Sequence, residues 1–186
     1  MDISTITEAF SDVTIQSPTV GVMLAGLLAV ALVFLSAFAS GSEIAFFSLS
    51  PSDVAELEDG KNPSDRKIQM LREDSERTLA TILITNNFVN VMIVMLLSNI
   101  FVSIVKFGPK AYWLEFLIMT VFLTFLLLLF GEIMPKVYCR QNPLRFCRRC
   151  VDAILFARKI FWPIETILLK SGMLAEKVMK KENHVL

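Results

Sequence analysis

Basic residues are missing from the first third of this chain: no lysine or arginine precedes Lys61, although Asp2, Glu8 and Asp12 come before the first long apolar stretch. A secretory signal peptide needs a basic N-terminal region, so that stretch is expected to be retained in the mature protein. Histidine is reduced to His184, which argues against His-based catalysis and against a His-ligated zinc site. The three cysteines, Cys139, Cys147 and Cys150, form one Cys-x-x-Cys with no second pair, too few for a four-ligand zinc site. They read as reduced cytosolic thiols. With 18 basic and 18 acidic residues there is no positive excess to hold nucleic acid. No nucleophile is paired with a base and no catalytic metal motif occurs, so an enzyme is not expected.

What the chain has instead is apolar length. Hydrophobic residues make up 54%, phenylalanine alone occurs 15 times, and the mean hydropathy is +0.60, all above a globular average. The stretch from Val13 to Ser42 carries no charge, and Val20 to Ala39 contains Ser36 as its only strongly polar side chain. Twenty helical residues rise about 30 Å, the thickness of the hydrocarbon core. A second uncharged run extends from Thr78 to Val105, and a third from Phe116 to Gly131, extended by Trp113 and Leu114 and by Ile133 and Met134. The expected fold is therefore an all-α integral membrane domain with three transmembrane helices in the lipid bilayer. Only Lys106 and Lys110 lie between the second and third runs, and the other basic residues follow the first or the third. The positive-inside rule then places this multi-pass protein in the cell membrane with its N-terminus extracytoplasmic and its C-terminus cytoplasmic.

The segment between the first two runs reads as a cytoplasmic juxtamembrane helical hairpin. Ser50-Pro51-Ser52-Asp53 and Asn62-Pro63-Ser64-Asp65 each set a capping side chain before a proline at the first helical position, and Gly60 begins the turn. Its mixed charges, Glu56, Glu58, Asp59, Arg66, Lys67, Arg72, Glu73 and Asp74, read as a solvated surface. After the third run, Lys136, Arg140, Arg145, Arg148 and Arg149 form a basic collar. An apolar-rich helix with Val151, Ile154, Leu155, Phe161 and Trp162 follows. Asp152, Arg158, Lys159, Pro163 and Glu165 interrupt it too often for a fourth span, so it is expected to be a C-terminal interfacial helix. The organisation expected is an N-terminal segment over 1–18, a transmembrane domain over 19–180 and a tail over 181–186.

Polar groups inside apolar helices are expensive and mark function or a partner. Ser40-Gly41-Ser42-Glu43 interrupts the first run, Asn86-Asn87 with Asn90 the second, and Gly131-Glu132 the third. Counted inward at about 1.5 Å per residue from Val20, Val105 and Trp113, Ser42 lies about 33 Å deep and Asn86 and Glu132 about 28 Å, so all reach one cytoplasm-facing level. Carboxylate, amide, hydroxyl and any carbonyl freed near Gly41 or Pro135 are hard oxygen donors, suited to magnesium, calcium or sodium rather than zinc or copper. Ser40, Gly41, Ser42, Asn86, Asn90 and Glu132 are the primary metal-ligating candidates, with Glu43, Asn87 and Pro135 secondary. Glu132 heads the list because it is a deep carboxylate between Gly131 and Pro135. Glu43, nearer the exit, could equally snorkel or pair with a collar arginine.

Three blocks taken together, Ser40-Gly41-Ser42-Glu43-Ile44-Ala45-Phe46-Phe47-Ser48-Leu49, Asn86-Asn87-Phe88-Val89-Asn90 and Phe130-Gly131-Glu132-Ile133-Met134-Pro135-Lys136, resemble the transmembrane domain of the cyclin M and CorB/CorC magnesium transporters. The resemblance covers roughly residues 20 to 180. It implies a homodimer of three-span protomers that exports magnesium as substrate, with sodium as a candidate coupling ion. Ser40, Ser42, the Gly41 carbonyl, Asn86, Asn90 and Glu132 would then form the ion site. Family members usually continue into cytoplasmic CBS modules that bind adenine nucleotide, for which nothing after Lys181 provides. The competing expectation is a membrane scaffold, such as a gliding-motility or secretion accessory protein, whose polar cluster only locks helices together.

Overall fold

The computed structural model describes residues 13–108 and 111–182, with side chains as far as Gly172. Most of the N-terminal segment expected over 1–18, Lys110, His184 and the end of the 181–186 tail fall outside the described residues. Three helices are long and apolar enough to cross a membrane: Val20–Phe47, Ser75–Ile104 and Tyr112–Cys139. The chain is thus an all-α membrane protein, as expected. Regular helix is what lipid demands, since every backbone N–H and C=O must be satisfied within its own segment.

In chain order, α1 (Val20–Phe47) is the first span, and the expected hairpin follows as α2 (Pro51–Glu58) and α3 (Asp65–Glu73). The second span is α4 (Ser75–Ile104). The third is composite, with α5 (Tyr112–Leu126), a π-helical turn (Leu127–Ile133) and α6 (Met134–Cys139). Helix α7 (Pro143–Glu182) closes the chain. Helices α1 and α4 overrun the uncharged runs that define them, carrying Glu43 in α1 and Glu76 and Arg77 in α4. Pro163 does not end α7, which continues through it.

Two compact units divide the chain. One comprises residues up to Ala37 together with Phe88–Met134. Its core is small: Leu32, Val89 and Ile93 are buried, with Val33, Leu96, Leu97 and Leu127 packed against them. It also contains the only strands among the described residues, β1 (Val13–Ile15) and β2 (Val105–Phe107), antiparallel with Thr14 opposite Lys106. The Gln16 N–H donates to Ile104 O at 2.7 Å and extends this ribbon. Sequence pattern predicts neither strand, because three residues are too few to show a two-residue period.

The other unit comprises Phe38–Asn87 and Pro135 onward. Helix α2 starts with the expected capping box: the Asp53 N–H donates to Ser50 Oγ at 3.2 Å and the Ser50 N–H to Asp53 Oδ2 at 2.8 Å. Gly60 turns the chain at φ +62°, a left-handed conformation that glycine adopts without steric cost. The second expected cap is corrected. Helix α3 starts at Asp65 rather than Pro63, and Asn62 closes a turn by accepting the Ser64 N–H at 3.0 Å.

Two acids lie in the core of this unit, which sequence pattern does not signal. Asp65 is fully buried and gripped by Arg148, Nε to Oδ1 at 2.8 Å and Nη2 to Oδ2 at 3.1 Å. Glu165 is fully buried as well, its Oε1 accepting from the Thr81 hydroxyl at 2.6 Å. The core of this unit joins Leu57, Ile68 and Leu71 of the hairpin to Cys147, Cys150, Val151 and Ile154 of α7. Val151 and Ile154 therefore face protein rather than a membrane interface. The exposed apolar stripe of α7 is instead Phe156, Ile160, Ile164 and Ile167, at the spacing an interfacial helix presents to lipid.

Candidate functional site

In the first unit the three spans meet at one polar point. The Ser36 hydroxyl, fully buried, donates to Asn90 Oδ1 at 2.5 Å. Gly131 sits against the same hydroxyl: a Cβ at Gly131 would lie 3.1 Å from Ser36 Oγ. Glycine is what admits the third span this close. Ser36 was not among the candidates, although it is the one strongly polar residue of its run and stands one turn before Ser40. That position was its signal.

Glu132 lies in the π-helical turn Leu127–Ile133. There the Met134 N–H reaches back five residues to Leu129 O, and the wider turn rotates the side chains after it relative to an α-helix. Pro135 has no N–H, so one carbonyl of the preceding turn loses its helical donor. Glu132 is partly buried and has no ion-pair or hydrogen-bond partner among the described residues.

In the second unit the first block divides its labour. Ser40 is fully buried, and its hydroxyl finds no hydrogen-bond partner among the described residues. A buried hydroxyl left unmade is costly, so its orphan state favours an absent partner. The Ser42 hydroxyl, also buried, donates to Phe38 O at 2.7 Å. It also lies beside Cys150, whose thiol is held below its usual range chiefly by hydrogen bonding with Cys147, while burial opposes this. Glu43 pairs with a collar residue, Lys136 rather than an arginine, at 3.3 Å. Asn86 is buried and Asn87 exposed.

Gly41 has a different task from the one expected. Helix α1 runs unbroken through it, so the chain shows no interruption there to free a carbonyl. A Cβ at Gly41 would stand 2.6 Å from Cys139 Sγ and 3.2 Å from Phe146 Cζ. The glycine admits the Cys139 and Phe146 side chains. All three cysteines are buried free thiols, and no group of three His, Cys, Asp or Glu side chains that could hold a metal occurs among the described residues. A Gly41→Ala variant is expected to lose about 1–3 kcal/mol through overpacking. Adding Cys139→Ala removes the struck sulfur and should restore part of that loss, which a double-mutant cycle on thermal unfolding measures. Equal instability of the single and double variants would refute the packing role.

The model of the cyclin M transmembrane N-terminal domain matches residues 27–185. The chain belongs to the cyclin M family. The metal transporter cnnm-4 of Caenorhabditis elegans is 30% identical over 80% of this chain and 31% of its own length. A putative chloroplastic DUF21 domain-containing protein of Arabidopsis thaliana is 32% identical over 83% of this chain and 22% of its own. A UPF0053 protein of Haemophilus influenzae is 30% identical over 70% and 30%. This cyclin M domain thus spans less than a third of the length of these relatives.

Proposed function

We propose that this domain transports magnesium ions across a membrane, with Glu132 and Asn90 replacing part of the ion's water shell. The observation that carries the reading is Glu132, a carboxylate in a π-helical turn of a 28-residue apolar span with no partner among the described residues. A carboxylate in that setting is costly unless a cation or proton joins it, and π-helical turns recur at functional sites. The C. elegans relative's name as a metal transporter supports the same reading. The donors, all of them oxygen, suit a hard cation, and among magnesium, calcium and sodium the proposal takes magnesium from the resemblance to the cyclin M and CorB/CorC transporters. The same proposal takes export as the direction, sodium as the coupling ion, a homodimer as the working unit and a cytoplasmic C-terminus, the last from the basic collar.

The scaffold reading has its own support, since the Ser36–Asn90 bond and the close approaches at Gly41 and Gly131 are helix locks in themselves. Magnesium flux into proteoliposomes holding the purified chain separates the two. Flux above that of empty vesicles is expected. A folded, reconstituted protein without flux would leave the scaffold standing.

A further inference from the structure

The basic collar divides into two groups by partner. Lys136 pairs with Glu43, and Arg148 with Glu56 and Asp65. Arg140, Arg145 and Arg149 are exposed and have no ion-pair partner among the described residues. Two of these three, Arg145 and Arg149, are four apart near the start of α7 and therefore share one helix face. They line a cavity of about 170 Å³ together with Tyr138, Gln141, Asn142 and Phe146, and no acidic side chain lines it.

Two guanidinium forks facing a polar hollow without counter-charge are arranged for an anion with several oxygens, phosphate above all. The position of the hollow decides which phosphate. Tyr138 belongs to α6, the last turns of the third span, and Tyr138 and its neighbour Val137 are both largely exposed. An aromatic ring beside arginines at the end of a span is the composition of the headgroup layer. Phe146 and Tyr138 supply apolar walls against which a glycerol backbone can lie, whereas a free phosphate would use only the arginines and amides.

We infer that this hollow binds the phosphodiester of an anionic membrane lipid, with Arg145 and Arg149 gripping its oxygens and Gln141 and Asn142 donating from the side. The site is distinct from the ion ligands, and its test is independent of whether the spans carry magnesium. In it, the full chain in a mild detergent is titrated with phosphatidylglycerol, phosphatidylcholine or inorganic phosphate, and the melting temperature is followed. Phosphatidylglycerol is expected to raise it and phosphatidylcholine to leave it unchanged. Each arginine near a membrane surface contributes roughly fivefold in affinity, so Arg145→Ala with Arg149→Ala should weaken the apparent lipid affinity by about 25-fold. Lys159→Ala, an exposed charge elsewhere on α7, should not alter it.

Equal responses to the two lipids would overturn the proposal, as would a double alanine variant that keeps the wild-type response. An equal effect of inorganic phosphate would assign the hollow to a soluble anion instead of a lipid and so refute the source. Should the double alanine variant fail to fold, Arg145→Lys with Arg149→Lys keeps the charge and removes the forks. Weakened phosphatidylglycerol binding is then expected, and undiminished binding would count against the forked grip.

Discussion

A Glu132→Ala variant is expected to lose the rise in melting temperature that magnesium gives the purified domain, with apparent affinity falling by at least about 100-fold. Outer-shell partners of metal ligands already cost tenfold to a hundredfold when removed, and Glu132 is proposed as a direct ligand. It is also the only charged donor of the proposed set. Amides and hydroxyls alone do not offset the reluctance of magnesium to give up water. Glu132→Gln sharpens the test by keeping the shape and one carbonyl oxygen while removing the charge; it too should abolish the response. Without magnesium, both variants should melt no lower than wild type, since among the described residues Glu132 holds nothing in place. Asn90→Leu should differ: it weakens the magnesium response and also lowers the melting temperature of the ion-free protein, because Asn90 accepts the Ser36 hydroxyl. A magnesium response unchanged in Glu132→Gln would sink the site assignment.

The parts of this domain legible from sequence are those set by long-range composition or by side chains acting on their own backbone. Long apolar runs announce the spans because each residue adds independently to the cost of leaving lipid. The Ser50 and Asp53 box and the Gly60 turn are local chemistry and could be read directly. The π-helical turn around Glu132 could not be, since Leu127-Leu128-Leu129-Phe130 suits an α-helix equally well and the extra residue per turn is chosen by packing. At Gly41 the residue type is legible, but the group that packs against it, the Cys139 sulfur, lies about a hundred residues away in the chain. Ser36 shows the same limit from the other side. Its residue type marked it as unusual, yet only the fold shows that Asn90 and Gly131 share its position. The burial of Asp65 and Glu165 was not legible either, because both sit in stretches whose composition looks solvated.

Arg148→Ala is expected to destabilise the unit containing the hairpin by about 3–5 kcal/mol, the cost of leaving a buried charge without its partner. Asp65 is fully buried, and Arg148 is the group that neutralises it, through two near-parallel hydrogen bonds while its third nitrogen reaches Glu56 at 2.9 Å. The bond from Arg148 holds the Asp65 carboxyl below the usual range, burial pushing the other way and the Asn62 N–H helping. A carboxyl whose pKa is lower in the folded than in the unfolded state stabilises the fold above its unfolded value, near 4, and that contribution is lost as pH falls through the folded value. Wild type should therefore lose this stabilisation only in strong acid. In Arg148→Ala the carboxyl is buried with no guanidinium, so protonation relieves the penalty, and the gap between variant and wild type should narrow from pH 7 toward pH 4. Melting curves of both proteins at the two pH values measure it. A gap that stays constant with pH would mean that Arg148 acts by packing its stem rather than by neutralising Asp65. Asp65→Asn combined with Arg148→Met supplies the converse: with both charges removed, much of the stability lost in Arg148→Ala should return.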